Sequence, residues 1–298
     1  MATFATPDQL LVVIDPVARR TDGEAVRIAK DVLSAGAAST KVCLPEDSEE
    51  FARVLARRGS RRPVVIGDDR ALVRAVSLLH RRRELAECAL SFVPVGGALS
   101  LARSLGVPAG TVAAARAVLD GAERRMDLLV DESDGVVLGA LRIPSEPAAR
   151  EASDVEAAVP GAGAHPWLRT CQSLVRTLVP ALPLRPAQPA PGPAGPSRLR
   201  IEVDGETLVD LDQPVEAVSV TPDGSGTAAV EVRPVSVGAE ASPLLARGRR
   251  VTVFGADFRY RADAAVSGPV RRRTWTVWEG SWGLTLPVGA VPGDQSLG

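Results

Sequence analysis

The sequence predicts an N-terminal α/β domain built on a parallel sheet, followed by a second, β-sandwich-like domain. In roughly the first 130 residues, short apolar runs alternate with segments whose apolar residues recur every three or four positions. That alternation is typical of buried parallel strands and the helices that cover them. From about residue 199 onward, apolar residues occupy every second position, which predicts antiparallel strands. Between the two patterns, the proline-rich stretch 180–196 predicts a semi-rigid linker or exposed loop.

In the first half, each predicted strand is an apolar run that ends at turn-forming residues. The first run ends at Asp15-Pro16 and the fourth at Gly96-Gly97. The intervening segments place apolar residues on one helical face. The strands are predicted at about 10–14, 41–44, 63–66, 88–95 and 126–130, and the helices at about 25–33, 48–55, 70–85, 99–105 and 110–119.

The turn after the third strand carries an acidic Gly-Asp-Asp sequence, residues 67–69. A strand that runs into a helix at the carboxyl edge of a parallel sheet presents backbone N–H groups, and such edges commonly bind anions. The alternative is an ordinary strand-to-helix turn with Asp68 or Asp69 as the N-cap. From this segment alone, the ordinary turn is favoured.

The second half begins near residue 131, where the pattern changes. Residues 136–143 are strand-like, and residues 165–179 predict one amphipathic helix. Further strands are predicted at about 200–203, 215–220, 228–237, 250–261, 272–278 and 284–288. We therefore place the α/β domain at 1–130 and the β-rich domain at 131–282.

Composition narrows the function classes. The chain has 298 residues and a formal net charge of −1, so no global field attracts nucleic acid. Its three cysteines show no metal-binding spacing, no run is long enough to span a bilayer, and the N-terminus lacks the features of a signal peptide. These observations predict a cytoplasmic protein without a metal site of histidines or cysteines. The same observations are compatible with peripheral contact with the inner face of the membrane.

Two aromatic or basic clusters have a structural and a functional interpretation. His80 precedes three arginines at a predicted helix end, where a solvated basic terminus is favoured over a phosphate contact. Trp275, Trp278 and Trp282 lie near an arginine triplet, which is compatible with an interfacial membrane patch. Because Trp275 and Trp278 are an odd number of residues apart, one is expected in the core and the other at the surface.

Three segments resemble the diacylglycerol kinase catalytic family, which includes bacterial lipid kinases and shares its fold with NAD kinases. Residues 66–70 (Ile-Gly-Asp-Asp-Arg) stand where the family has Gly-Gly-Asp-Gly-Thr. Residues 94–103 (Pro-Val-Gly-Gly-Ala-Leu-Ser-Leu-Ala-Arg) stand where it has Pro-x-Gly-Thr-x-Asn-Asp-Phe-Ala-Arg, and the match continues to Pro108. Late in the chain, residues 258–265 resemble the segment around the family's Asp-Gly-Glu, which here reads Asp-Ala-Ala.

The resemblance implies a cleft between the domains, a last strand at about 283–290 that returns to the first domain, and ATP- and Mg²⁺-dependent phosphorylation of a lipid alcohol. It makes Asp263 the counterpart of the family's general base. The nucleotide contacts that it implies are Gly67, Asp68, Arg70, Gly96 and Gly97.

The motifs nevertheless differ from those of the family at the positions that contact phosphate and metal. Ile66 and Asp69 replace glycines that let phosphates approach the backbone, and Asp69 adds a repelling charge. Leu99 removes a polar group from the nucleotide cleft, and Ala265 replaces a carboxylate that would help hold metal and phosphate. Because phosphoryl transfer depends on positioning and charge neutralisation, these losses together predict a severe loss of rate.

Two functions remain open from the sequence. The favoured one is a catalytically impaired pseudokinase that binds a lipid or nucleotide, or regulates a partner. The alternative is an active kinase that phosphorylates diacylglycerol or a related lipid alcohol. The expected partners are a lipid alcohol or a nucleotide, with no nucleic acid, and a homodimer is compatible with either function.

Overall fold

The computed structural model describes residues 9–144, 196–235 and 242–289. The chain divides into a unit of residues 1–145 and 196–298 and a second unit of residues 146–195. The second unit lies outside the described residues, as do the predicted helix at 165–179 and nearly all of the proline-rich stretch. The predicted domain boundary at residue 130 stays a prediction.

The N-terminal part of the first unit is a four-stranded parallel arrangement covered by helices. The strands lie in the order β2-β1-β3-β4 and are β1 (Gln9–Ile14), β2 (Ser39–Cys43), β3 (Arg62–Gly67) and β4 (Ala89–Pro94). The helices are α1 (Pro16–Thr21), α2 (Gly23–Gly36), α3 (Ser48–Ala56), α4 (Asp69–Arg81), α5 (Ser100–Ser104) and α6 (Thr111–Asp120). The α/β architecture predicted from the alternating pattern is therefore confirmed.

Short-range signals explain why these elements begin where they do. The first, third and fourth strands are almost entirely buried, as their unbroken apolar runs require. Aspartate side chains accept backbone N–H groups at the N-termini of the first four helices, which supplies acceptors that the helix itself lacks. These N-caps are Asp15, Asp22, Asp47 and Asp68.

The remaining strands of the described residues are mainly antiparallel and continue the same sheet. They are β5 (Ala122–Asp131), β6 (Val136–Val137), β7 (Leu141–Ile143), β8 (Ser197–Val203), β9 (Glu206–Val209), β10 (Pro214–Pro222), β11 (Ala228–Pro234), β12 (Leu244–Gly248), β13 (Arg250–Ala262) and β14 (Ala265–Leu286). A β-rich C-terminal part is therefore present, whereas its description as a sandwich domain stays a prediction.

Strand β14 corrects the prediction of two separate strands at 272–278 and 284–288. It is one strand of 22 residues with a register shift between Trp278 and Trp282. The shift places Glu279, Gly280 and Ser281 opposite the single residue Asp127 of β5. Beyond it, Gly283 and Leu284 pair in parallel with β4, so the strand continues the parallel sheet.

Two clusters of buried side chains fill the first unit. One lies around the parallel strands and includes Trp282, and the other lies among the antiparallel strands and includes Trp275. Trp275 is 1% exposed and Trp278 is 47% exposed, which confirms the expectation that they differ. Trp282 is fully buried, so Trp278 alone of the three offers its ring to solvent.

The expectation of a solvated basic end at residues 80–83 was wrong for His80. Its side chain is buried against Trp278, with the ring centroids 5.1 Å apart, whereas the three arginines are exposed. Sequence position alone placed His80 with its charged neighbours, although it lies on the apolar face of α4.

Candidate functional site

The turns that follow β1, β3 and β4 form one surface at the carboxyl edge of the parallel strands. Backbone hydrogen bonds join them in sequence across the edge. These bonds run from Asp15 N to Ile66 O (2.9 Å), from Val95 N to Gly67 O (2.8 Å) and from Asp69 N to Ala98 O (2.9 Å). The sequence-predicted residues 67, 68, 96 and 97 are thereby brought together.

Gly67 is needed here for packing. A Cβ at this position would lie 2.6 Å from Ala71 Cβ and 3.0 Å from Asp15 Cβ. Asp15 is itself 1% exposed and forms an ion pair with Arg74 at 2.8 Å. The close approach that excludes a side chain at Gly67 therefore comes from the protein's own atoms.

Asp68 caps the helix that follows. Its Oδ1 accepts the backbone N–H of Ala71 at 3.1 Å, at the N-terminus of α4. A helix N-terminus attracts anions because its first N–H groups lack intrahelical partners. In this protein, the carboxylate of Asp68 already serves as that anion.

Asp69 has a role that the sequence did not reveal. It is 2% exposed, and its carboxylate accepts the backbone N–H groups of Leu101 (2.9 Å) and Ala102 (3.0 Å) at the start of α5. Burial raises the pKa of this carboxyl, although the two N–H groups act in the opposite direction. Asp69 thus joins the β3–α4 turn to α5.

The turn after β4 leaves its donors available. Among the described residues, no acceptor takes the backbone N–H groups of Gly96, Gly97 or Ala98. Gly96 has a φ of +125°, and a Cβ at Gly97 would have no heavy atom within 4 Å. Gly97 and Ala98 are exposed and Gly96 is half-buried, and backbone N–H groups without a protein acceptor can donate to an anion. Arg70, on the first turn of α4, is exposed.

Asp263 lies at the turn between β13 and β14, with a φ of +49°. Its carboxylate accepts three successive backbone N–H groups, and its own N–H donates to Ala140 O at 2.9 Å. The three donors are Leu138 (2.7 Å), Gly139 (2.8 Å) and Ala140 (3.0 Å). Burial raises the pKa of Asp263, these N–H groups oppose the rise, and the charge of Asp69 adds to it.

The loop held by Asp263 packs on α5. A Cβ at Gly139 would lie 2.6 Å from Leu101 Cδ1 and 3.2 Å from Asp263 Oδ1. Asp69 and Asp263 therefore brace two adjacent segments, α5 and the loop 138–140. Neither anchor was detectable in the sequence, because each carboxylate contacts residues that are distant along the chain.

The described residues contain no group of three His, Cys, Asp or Glu side chains placed to hold a metal ion by themselves. Asp127, on β5, accepts the backbone N–H groups of Gly226 and Gly280, both at 2.8 Å. Its carboxylate links the β10–β11 loop to the irregular part of β14.

No helix among the described residues is both long enough and apolar enough to cross a membrane.

The residues that form this edge lie within a segment that matches a known protein family. Residues 9–130 match the family model described as the diacylglycerol kinase catalytic domain, which confirms the resemblance predicted from the motifs. A search of curated proteins finds no match to the sequence.

Solved structures from Bacillus anthracis str. Sterne share the fold. One described as a "putative diacylglycerol kinase" aligns with a TM-score of 0.68 at 13% identity, covering 96% of this chain and 100% of that one. Another of the same description gives a TM-score of 0.68 at 14% identity with the same coverage. A third, described as a diacylglycerol kinase, gives 0.65 at 12% identity, again over 96% and 100% of the two chains.

Proposed function

We propose that this chain, whose residues 9–130 match the diacylglycerol kinase catalytic domain, is a catalytically impaired relative of ATP-dependent lipid kinases. In this proposal it binds the phosphates of a nucleotide at the turn 96–98 without transferring a phosphoryl group at an appreciable rate. The observation that carries the proposal is the use of Asp69 and Asp263 as acceptors for backbone N–H groups of neighbouring segments.

Asp263 is the residue on which catalysis would depend. A general base must reach the hydroxyl proton that it removes, and geometry takes precedence over pKa in identifying one. A raised pKa alone would suit a base. Both carboxylate oxygens of Asp263, however, are engaged by three backbone donors, and the residue is only partly exposed. Redirecting it to a lipid hydroxyl would leave those donors without an acceptor.

Charge neutralisation of the transferred phosphoryl group would also be weak. Phosphoryl transfer relies on cations positioned around the phosphate oxygens. Ala265 stands where the family carries a carboxylate that would help hold the metal ion and the phosphate.

Nucleotide binding rests on a different part of the edge. The free N–H groups of residues 96–98 and the exposed guanidinium of Arg70 can donate to phosphate oxygens. These contacts need neither Asp263 nor a metal ion. Binding and catalysis are therefore separable in this proposal. Lipid binding, membrane contact and homodimer formation stay predictions from the sequence.

The decisive experiment measures phosphoryl transfer and nucleotide binding on the same preparation. Radiolabelled ATP with Mg²⁺ is supplied with diacylglycerol, a sphingoid base or a monoacylglycerol. We expect no more product than from the Asp263→Asn variant. Turnover by the wild type that disappears in Asp263→Asn would overturn the proposal and favour the active kinase.

Calorimetry with ATP tests the binding arm. Gly97→Glu places a negative charge in the open space of the turn and is expected to abolish binding, and Arg70→Ala is expected to weaken it about tenfold. Arg19→Ala removes an equally exposed arginine from α1 and is expected to bind as the wild type does. Absence of heat with the wild-type protein would contradict nucleotide binding but leave the argument on catalysis intact.

A further inference from the structure

The parallel sheet has an open edge at β2. This strand pairs with β1 on one side, and no strand of the described part of the chain pairs with its other side. An edge strand presents unpaired backbone N–H and C=O groups to which another extended segment can bond. The outer edge of β2 is therefore a place where a further strand can be added.

A depression of about 210 Å³ lies beside this edge, between β2 and α3. Its basic lining consists of Lys41 from β2, Arg53 from α3 and Arg57, the residue that follows the C-terminus of α3. All three side chains belong to exposed residues, and none forms an ion pair with an acidic side chain of the described residues. The depression is thus positively charged in a protein whose formal net charge is −1.

Glu50 is the acidic side chain that lines the same depression, but it is already engaged. Its Oε2 accepts the backbone N–H of Glu46 at 2.8 Å, at the N-terminal end of α3. That bond directs the carboxylate toward its own helix terminus. The depression therefore holds three cationic side chains against one carboxylate, so its net charge is positive and the chemistry it selects is anionic.

Side-chain alternation defines what an added strand would need. Lys41 and Cys43 lie on the face of β2 that lines the depression, and Val42 lies on the opposite face against the apolar core. A strand paired with β2 would place alternate side chains on the same two faces. Acidic residues would meet Arg53 and Arg57, and apolar residues would extend the surface at Val42.

We propose that β2 accepts an extended acidic segment of a partner protein as an added strand, with a carboxylate side chain seated between Arg53 and Arg57. The depression is smaller than the ~300 Å³ at which ordinary ligand pockets begin, so it suits one side chain better than a nucleotide. A second copy of this chain is a poor occupant, because its own β2 would bring Lys41 to the same cations.

The test measures binding of the full chain to a fluorescein-labelled peptide in which glutamate and valine alternate. We expect saturable binding that weakens with added salt, and slower hydrogen exchange of the amides of residues 39–43 in the complex. Arg53→Glu with Arg57→Glu is expected to weaken binding at least about tenfold. Arg19→Glu with Arg20→Glu reverses two exposed charges on α1 and is the matched control, expected to bind as the wild type does.

A peptide of the same sequence, N-methylated at every residue, separates strand addition from simple charge attraction. It keeps the carboxylates but cannot pair with an edge strand, so it should bind much more weakly. Equal binding of the two peptides would overturn the proposal. The proposal would also be overturned if no peptide bound at ~1 mM, or if citrate bound to the same arginines while the peptide did not. A homodimer that dissociates in the double arginine variant would overturn it as well.

Discussion

At the residue scale, the carboxylate of Asp263 is the clearest case of a side chain held by the backbone. Its three N–H donors come from one short loop, and the residue occupies a left-handed conformation that a side chain other than Asn or Asp rarely adopts. If the carboxylate were lost, the unbonded N–H groups and the left-handed backbone conformation would both lower the stability of the fold. The residue is therefore as much a structural anchor as a candidate base.

Replacement of Asp263 by alanine should accordingly destabilise the fold. Asp263→Ala leaves three backbone donors without their acceptor and keeps the unfavourable φ, so we expect a loss of about 2–5 kcal/mol in the free energy of unfolding. Asp263→Asn tolerates the same φ and retains one acceptor oxygen, so its loss should be smaller. Urea unfolding measures both, and an alanine variant within about 1 kcal/mol of the wild type would show that the anchor is unimportant.

Asp69 should make stability depend on pH in a defined direction. Because burial raises its pKa in the folded protein, the folded state binds the proton more tightly than the unfolded chain, whose aspartates have a pKa of about 3.9. Its contribution to the free energy of unfolding is thus unfavourable above the folded pKa and is relieved as pH falls toward the unfolded value.

Asp69→Asn removes this titration. The difference in unfolding free energy, wild type minus variant, should increase as pH is lowered from about 7 to about 4. The variant also loses one acceptor for an α5 N–H group, but that offset does not depend on pH. Urea unfolding across this range measures the difference, and one that is constant or falls with acidification would refute the raised pKa.

At the element scale, the β3–α4 turn shows how far sequence reasoning reached. The apolar run from Val64 to Ile66 and the amphipathic α4 depend on neighbours within a few positions, so the sequence predicted them. It left the N-cap open between Asp68 and Asp69, and the structure shows Asp68. The second role of this turn, the anchoring of α5 by Asp69, depends on donors 32 and 33 residues away and could not be read locally.

The same limit explains the errors in the β-rich part. Strand β14 was divided in two because Glu279 and Gly280 interrupt its alternation, whereas the structure absorbs them as a bulge bonded to Asp127. Strands β9 and β12 were missed because they are short and only partly buried. His80 was misassigned because its charged neighbours outweighed its place on the helix face.

Two glycines of the candidate site should respond differently to the same substitution. Gly67→Ala forces a Cβ against Ala71 and Asp15, whose own Cβ atoms cannot move away without a backbone shift, so we expect a loss of about 1–3 kcal/mol. Gly97→Ala adds the same atom in open space and should change stability by less than about 0.5 kcal/mol. Chemical denaturation of the pair measures both, and equal losses would show that packing does not explain Gly67.

At the scale of the molecule, β14 is the element that the two apolar clusters share. Trp275 lies in the cluster of the antiparallel strands and Trp282 in the cluster of the parallel strands, on the same continuous strand. Trp282 also donates its Nε1–H to Asp127 O at 3.2 Å, next to the carboxylate that holds Gly226 and Gly280. Loss of packing in either cluster would thus destabilise the strand on which the other cluster packs.

Trp282→Ala should therefore destabilise both parts of the first unit together. Truncation of a fully buried indole is expected to cost about 3–5 kcal/mol. Trp167→Phe and Trp278→Phe leave Trp275 as the one remaining tryptophan of this variant. In that background, the helical circular dichroism of the α/β part and the fluorescence of Trp275 should shift to the same lower urea midpoint, because one strand belongs to both clusters. Trp278→Ala, at a half-exposed ring, is the control and should cost about 1 kcal/mol or less. If the helical signal were lost at a lower urea concentration than the fluorescence change of Trp275, the two clusters would unfold independently. Strand β14 would then connect the clusters without making their unfolding cooperative.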